Sequence, residues 1–242
     1  MRPKGPWKNG PIPVIGLVGG IGAGKSLAAA LFAKRGAHVL DADAVGHALI
    51  DQNPAREEIV ARFGTEVLDR SDPAAPWVID RKALGAVVFA DEAARKALEA
   101  ILHPRMRRTF EKAIARDARS SRCLAVILDA AVLYEAHWNE LCDVVVFVEA
   151  PAQARLARVE ASRGWTAEAL SAREAAQMPL DAKRGKVDFV LDNAGDEVAL
   201  AEAIGPLWDK LTRRPKSDPT KHRFRRPDPK SSQPPPQSPP SE

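Results

Sequence analysis

A glycine-rich segment near the N-terminus constrains the fold of this 242-residue chain more than any other feature. Residues 19–26 read Gly-Gly-Ile-Gly-Ala-Gly-Lys-Ser and fit the pattern G-x-x-x-x-G-K-[ST], a loop that cradles phosphate groups. The apolar run Val14–Val18 precedes the segment, and the helix-forming run Leu27–Ala33 follows it. The order therefore predicts a buried strand, a phosphate-binding turn and a helix.

Each residue type in this loop has a chemical reason. Glycines let the backbone bend until successive N–H groups point at phosphate oxygens, and the N-terminus of the following helix adds a partial positive charge. Lys25 is predicted to bridge the β- and γ-phosphates, and the Ser26 hydroxyl to bind Mg²⁺. The predicted nucleotide-binding residues are Gly20, Ile21, Gly22, Ala23, Gly24, Lys25, Ser26 and Leu27.

Four further short apolar runs predict strands: His38–Leu40, Leu124–Leu128, Val144–Val148 and Phe189–Leu191. Continuous apolar runs are typical of strands that are buried on both faces in a parallel sheet. We therefore expect an α/β fold, with a five-stranded parallel sheet flanked by helices.

Two helical regions interrupt this pattern. Residues 44–119 have apolar positions at helical intervals, with a break at Asn53-Pro54, a polar loop over 69–76 and a new helix at Asp80-Arg81. A segment of this length is too long for an ordinary connection, so it predicts an inserted helical subdomain. A second, arginine-rich helical stretch covers residues 152–186.

The net charge of +4 comes from an excess of basic residues at the two ends of the chain. Residues 212–242 carry eight Lys and Arg against three acidic side chains, and residues 1–13 carry three Lys and Arg and no acid. Residues 14–211 therefore hold 25 basic and 29 acidic side chains, a net charge of −4, which argues against nucleic-acid binding by this part. We predict a disordered leader over 1–13 and a disordered Pro/Ser/basic tail over 212–242.

Other classes of protein are disfavoured. No apolar run approaches the roughly 18 residues that span a bilayer, and the N-terminus lacks the apolar segment of a signal peptide, so a cytoplasmic enzyme is expected. Cys123 and Cys142 form no C-x-x-C pair and are predicted to be buried free thiols. A regulatory GTPase would need an N-K-x-D motif, which the sequence lacks.

Taken together, the landmarks resemble the dephospho-coenzyme A kinase family over most of residues 14–211. The motifs that carry the resemblance are residues 16–26, Asp41-Ala42-Asp43, Asp80-Arg81 with Phe89, His103-Pro104, residues 129–135, Gln177 with Lys183-Arg184, and residues 188–193. The chain departs from the family pattern at Leu27, usually Thr, and at Ala131-Val132-Leu133, usually Pro-Leu-Leu. Neither change removes a charged group.

The resemblance implies a P-loop kinase that uses ATP and Mg²⁺ to phosphorylate the ribose 3′-hydroxyl of dephospho-coenzyme A, giving coenzyme A and ADP. It also implies that the insertion binds this substrate and that residues 152–186 form a lid over ATP. No membrane or nucleic-acid partner is expected, and the oligomeric state stays open. The basic tail could attract polyanions or have no function.

Roles for particular residues follow from the same resemblance. Asp43 is the predicted catalytic base, with Lys25 and Arg163 as further catalytic residues; Asp43 could instead cap a helix that begins at Ala44. Asp41 is either a site residue or a loop acceptor. Asp129 could hold the Mg²⁺ hydration shell or the acceptor ribose, or it could form a turn.

For three further sets of residues, more than one role is open. Arg155, Arg158 and Arg163 are the lid candidates for gripping phosphate, and which of them does so is open, since each could also lie on a solvated helix face. Asp192-Asn193 with Gly195 would lie near the adenine or form a plain turn. On the insertion, Arg81, His103 and Arg105 are expected to contact dephospho-coenzyme A, although a histidine before proline is often structural.

Overall fold

Five parallel strands form the central sheet of the computed structural model, which describes residues 6–70 and 78–212. The strands are β1 (Val14–Val18), β2 (Ala37–Asp41), β3 (Ala125–Asp129), β4 (Val144–Glu149) and β5 (Phe189–Asp192), in the order β2-β3-β1-β4-β5. In the register, Ile15 lies beside Ile127 of β3 and Val144 of β4. The predicted five-stranded α/β fold is confirmed.

Nine α-helices occur within the described residues. They are α1 (Lys25–Lys34), α2 (Ala42–Ile50), α3 (Ala55–Phe63), α4 (Arg81–Ala90), α5 (Glu92–Asp117), α6 (Ala152–Arg163), α7 (Ala167–Ala175), α8 (Leu180–Arg184) and α9 (Glu197–Thr212). Asn53-Pro54 separates α2 from α3 as predicted, and Asp80 caps α4 by accepting from the backbone N–H groups of Lys82 and Ala83. Short 3₁₀ turns cover Thr65–Val67 and Trp138–Leu141.

The period-2 alternation of side chains divides the sheet into two buried faces. Ile15 and Leu17 of β1 point to the face that α1 and α9 cover, where the rings of Phe32 and Trp208 lie 6.0 Å apart. Val14 and Val18 point to the other face, which packs against helices α2 to α5 and the segment after β3. Both faces are apolar because helices cover both.

The leader prediction is wrong for residues 6–13. The backbone N–H of Lys8 donates to Asp143 Oδ1 at 2.7 Å, and Asn9 Nδ2 donates to the carbonyl of Leu141 at 2.6 Å. Ile12 packs against the core. These partners lie about 130 positions away in the sequence, so a local reading of composition could not find them.

Three predictions fall partly or wholly outside the described residues: the first five residues of the leader, most of the loop over 69–76, and the tail after Thr212. On either side of that loop, Leu68 and Ile79 form an antiparallel bridge. Among the helices described, none combines the length and the apolar character that a membrane crossing requires.

Candidate active site

The predicted nucleotide-binding loop and the predicted site residues Asp43, Asp129 and Arg163 converge at one edge of the sheet. Parallel strands end at the same edge, so the glycine-rich loop after β1 lies beside Asp41 at the end of β2 and Asp129 at the end of β3. A cleft of about 600 Å³ opens there. The loop and the N-terminus of α1 form one wall, while side chains of α2, α4, α5, α6 and α7 line the rest.

The backbone of the loop has the conformation that glycine permits. Gly22 and Gly24 have φ angles of +76° and +90°, and Gly24 immediately precedes the first residue of α1. A Cβ at Gly24 would lie 2.2 Å from Asn193 Nδ2, so there is no room for a side chain. The N-terminus of α1 thus reaches the cleft with its backbone exposed to a ligand, which is the arrangement that binds anions.

Lys25 lies inside this loop and lacks a carboxylate partner within hydrogen-bond distance among the described residues. Its ammonium donates to the carbonyls of Gly19 and Gly20, each at 3.3 Å. Burial lowers the pKa of Lys25, an effect that the nearby carboxylates of Asp129 and Asp43 oppose. Long bonds to neutral carbonyls leave this cation able to exchange them for phosphate oxygens.

Ser26 and Asp129 meet across the cleft floor, where the Ser26 hydroxyl donates to Asp129 Oδ2 at 3.1 Å. Burial raises the pKa of Asp129, while the charge of Lys25 and the bond from Ser26 lower it. A hydroxyl and a carboxylate are the hard oxygen ligands that Mg²⁺ prefers. Asp129 therefore lines the cleft and bonds Ser26, which is more than a turn-forming residue would do, while its role toward Mg²⁺ or the ribose stays a prediction.

Asp41, the last residue of β2, and Asp43, two residues later, have different roles in the fold. Helix α2 begins at Ala42, and Asp41 is its cap, since Asp41 Oδ1 accepts from the N–H of Ala44 at 3.0 Å. The alternative that Asp43 caps the helix is therefore wrong. Asp43 lies in the first turn of α2 and lines the cleft, and no hydrogen bond to its carboxylate occurs within the described residues.

The three lid arginines are not equivalent. Arg155 is buried, donates to the carbonyl of Ile21 at 3.3 Å and forms an ion pair with Glu174. Arg158 donates to the carbonyl of Asn193 at 2.9 Å. Both side chains therefore hold the glycine-rich loop of residues 19–26, called the phosphate loop below, and its neighbours in place.

Arg163 differs from them. It lines the cleft and lies over the Trp165 ring at 4.8 Å, with no hydrogen bond or ion pair to another described residue.

Sequence reasoning missed Trp165 and Arg173. The Arg173 guanidinium lies 4.0 Å from the ring centre of Trp165 and 5.1 Å from that of Phe89, and all three side chains line the cleft. Phe89 is 65% exposed, which is unusual for a phenylalanine and consistent with a place in a binding cleft. The arginine-rich composition of 152–186 was the only signal for Arg173.

The acceptor residues predicted on the insertion do not line this cleft. Arg81 pairs with Asp51 at 3.2 Å, and Arg105 pairs with Glu58 at 2.6 Å. His103 packs edge-on against Trp138 with ring centres 5.1 Å apart, and burial lowers the pKa of its imidazole. Their contacts with a substrate stay predictions.

Asn193, after β5, is 2% exposed, and its Nδ2 donates to the carbonyl of Ala23 at 2.7 Å. It therefore braces the phosphate loop, which a plain turn would not do. Whether this segment also contacts adenine stays a prediction.

The known proteins to which this chain is similar point to one enzyme family. The family model described as dephospho-CoA kinase matches residues 13–198. The dephospho-CoA kinase of Anaeromyxobacter dehalogenans is 47% identical over 189 residues, which cover 78% of this chain and 87% of the relative, and that of Thermobifida fusca is 37% identical over 83% of this chain and 96% of the relative. The crystal structure of TT1252 from Thermus thermophilus aligns with a TM-score of 0.69 and 34% identity, covering 83% of this chain and 98% of that one.

Proposed function

This chain belongs to the dephospho-CoA kinase family, which catalyses the final step of coenzyme A biosynthesis, and from that premise we propose how its own residues carry out the transfer. In the proposal, ATP binds with its phosphates in the loop of residues 19–26, and the ribose 3′-hydroxyl of dephospho-coenzyme A enters from the side of Asp43. The observation that carries it is the single cleft lined by Lys25, Asp43, Asp129 and Arg163.

Phosphoryl transfer requires alignment and charge stabilisation more than covalent help from the protein. Backbone N–H groups of residues 20–27 and the Lys25 ammonium would hold the phosphate oxygens. Arg163 would neutralise charge that develops on the moving phosphoryl group, since its guanidinium has no other ionic partner among the described residues. Asp43 would accept the proton of the attacking hydroxyl, because its carboxylate faces the cleft and carries no competing hydrogen bond there.

The residues present suit Mg²⁺. The described residues contain no group of three or more His, Cys, Asp or Glu that could hold a metal. Mg²⁺ commonly takes only one or two protein oxygens and completes its shell with phosphate and water. Ser26 and Asp129 would supply those protein oxygens, directly or through water. When bound, Mg²⁺ would neutralise charge on the β- and γ-phosphates.

Two features of the proposal concern the wider protein. The helices of 152–186 would act as a lid, supported by the contacts of Arg155 and Arg158 with the phosphate loop. A cytoplasmic location fits a step of coenzyme A synthesis, and a fractionation of the native cells would test it.

Asp43→Asn with Asp41→Asn as its matched control tests the mechanism. Asparagine at position 41 still caps α2, so the control should turn over dephospho-coenzyme A at close to the parental rate. Asp43→Asn should lower kcat by about 10² to 10⁴, the range of one general base, and leave the Kd of ATP within about twofold. Near-parental turnover by Asp43→Asn, or equal losses in both variants, would remove Asp43 from the mechanism.

A further inference from the structure

A fully buried lysine lies just behind the cleft. Lys183 in α8 is 0% exposed. Its ammonium lies 3.0 Å from Glu135 Oε1 and donates to the carbonyl of Ala131 at 2.7 Å and to Gln177 Oε1 at 3.2 Å. The three N–H donors of the ammonium therefore have three partners, which is the condition for keeping such a charge out of water.

These partners belong to two walls of the site. Ala131 follows Asp129 by two residues and lines the cleft, while Gln177 lines it from the junction of α7 and α8. Glu135 Oε1 also accepts from the backbone N–H of Met178 at 2.8 Å. One ammonium and one carboxylate thus join the segment after β3 to the junction between two helices of the predicted lid.

We propose that Lys183 is a positioning residue for phosphoryl transfer, because its ammonium fixes the Asp129–Ala131 segment relative to Gln177 in the cleft wall. The inference rests on the proposed function, since Asp129 matters only if phosphates and Mg²⁺ bind beside it. Lys183 touches none of the predicted reacting groups itself.

If Lys183 only stabilised the fold, its loss would lower activity through unfolding. The test must therefore separate a loss of stability from a loss of positioning in the cleft. Lys183→Met removes the ammonium and leaves the partly buried carboxylate of Glu135 without its counter-ion, which should lower both stability and activity. In the double variant Lys183→Met/Glu135→Gln no charge is left unpaired, and the amide oxygen can still accept from Met178. The double variant should therefore regain most of the thermal stability that the single variant loses.

We expect the double variant to regain thermal stability without regaining activity. In the double variant kcat per folded molecule should stay about 10²-fold below the parent, as expected for a misplacement of about 1 Å, while the KM for ATP changes little. Lys34→Met is the matched control, because Lys34 forms an exposed pair with Glu197 and should change neither quantity. A double variant with parental kcat would overturn the proposal.

A second readout does not depend on turnover. Amide hydrogen exchange over residues 130–133 and 177–180 should accelerate in the double variant, since the two segments lose their shared partner. Unchanged exchange in both segments would also overturn the proposal. Failure of the proposed function has a different signature, because in that case the parental enzyme itself would show no turnover with ATP and dephospho-coenzyme A.

Discussion

The hydroxyl of Ser26 donates to Asp129 Oδ2 at 3.1 Å and so joins the first turn of α1 to the end of β3. The two residues are 103 positions apart in the sequence. In our proposal these two oxygens are the protein groups that would hold Mg²⁺, and the hydrogen bond keeps them side by side.

Ser26→Ala should raise the Mg²⁺ concentration needed for half-maximal activity. The substitution removes one hard oxygen from the proposed site, and since loss of a group that only orients a metal ligand already weakens metal binding by about 10- to 100-fold, an effect of at least that order is expected. A titration of activity with Mg²⁺ at saturating ATP measures the change. Ser162→Ala is the control, because it removes an exposed hydroxyl whose one hydrogen bond to a described residue goes to the carbonyl of Arg158. An unchanged Mg²⁺ requirement in Ser26→Ala would contradict the metal assignment.

Gly24→Ala should abolish ATP binding. The positive φ and the 2.2 Å approach to Asn193 Nδ2 leave no place for a Cβ, so the loop must distort. Calorimetric titration with ATP checks this, and retained affinity would show that the loop tolerates a side chain.

Gly85→Ala is the control for that substitution. Gly85 lies inside α4, and a Cβ there would meet no atom within 4 Å among the described residues outside its own stretch of helix. Alanine should therefore stabilise the protein by about 0.5–1 kcal/mol and leave ATP binding unaltered. A urea denaturation curve shows whether the free energy of unfolding rises, as expected, or falls.

Arg163→Ala and Arg155→Ala should fail in different ways. Arg163 makes no hydrogen bond to another described residue, so its loss should leave the melting temperature nearly unchanged and lower kcat by about 10²- to 10³-fold. Arg155 is buried against Glu174 and the Ile21 carbonyl, so its loss should cost about 3 kcal/mol of folding free energy. Steady-state kinetics and thermal melts on both variants make the comparison. A stable Arg155→Ala protein would contradict this division of roles.

Cys142 should make the protein less stable at alkaline pH. Burial raises the pKa of its thiol from 9.0 to about 12, so between these values the unfolded chain has lost a proton that the folded chain keeps. The free energy of unfolding should then fall as pH rises, by up to about 1.4 kcal/mol per pH unit from this group. Urea denaturation at pH 8, 9, 10 and 11 measures the slope.

Cys142→Ser isolates that contribution, since serine does not titrate in this range. Its slope above pH 9 should be shallower than that of the parent. The pKa of Tyr134 is also raised to about 12, but this group is present in both proteins and burial, the main cause of its shift, does not depend on Cys142, so most of its effect cancels in the difference. Parallel slopes would rule out Cys142 as the source.

The sheet and the phosphate loop could be predicted because their signals are local. The short runs placed all five strands within one residue of their observed ends. The physical reason is strongest for the central strands β1, β3 and β4, which are almost wholly buried and therefore almost wholly apolar. The N-cap of α2 could not be predicted in the same way. Asp41 and Asp43 are both good capping residues, and only the backbone shows that the helix begins at Ala42. The ordered part of the leader was missed for a similar reason, because its partners, such as Asp143, which accepts from the N–H of Lys8, lie at distant positions in the sequence.

The amino-acid sequence by itself determined the glycine-rich loop, the parallel sheet around it and the family, because these depend on residue types at short, fixed spacings. Tertiary structure alone decided which arginine is left for a ligand and which ones brace the loop. Arg155 and Ile21 are 134 positions apart, and Lys183 and Ala131 are 52 apart. Contacts between such distant positions exist only once the sheet has brought its strand ends to one edge.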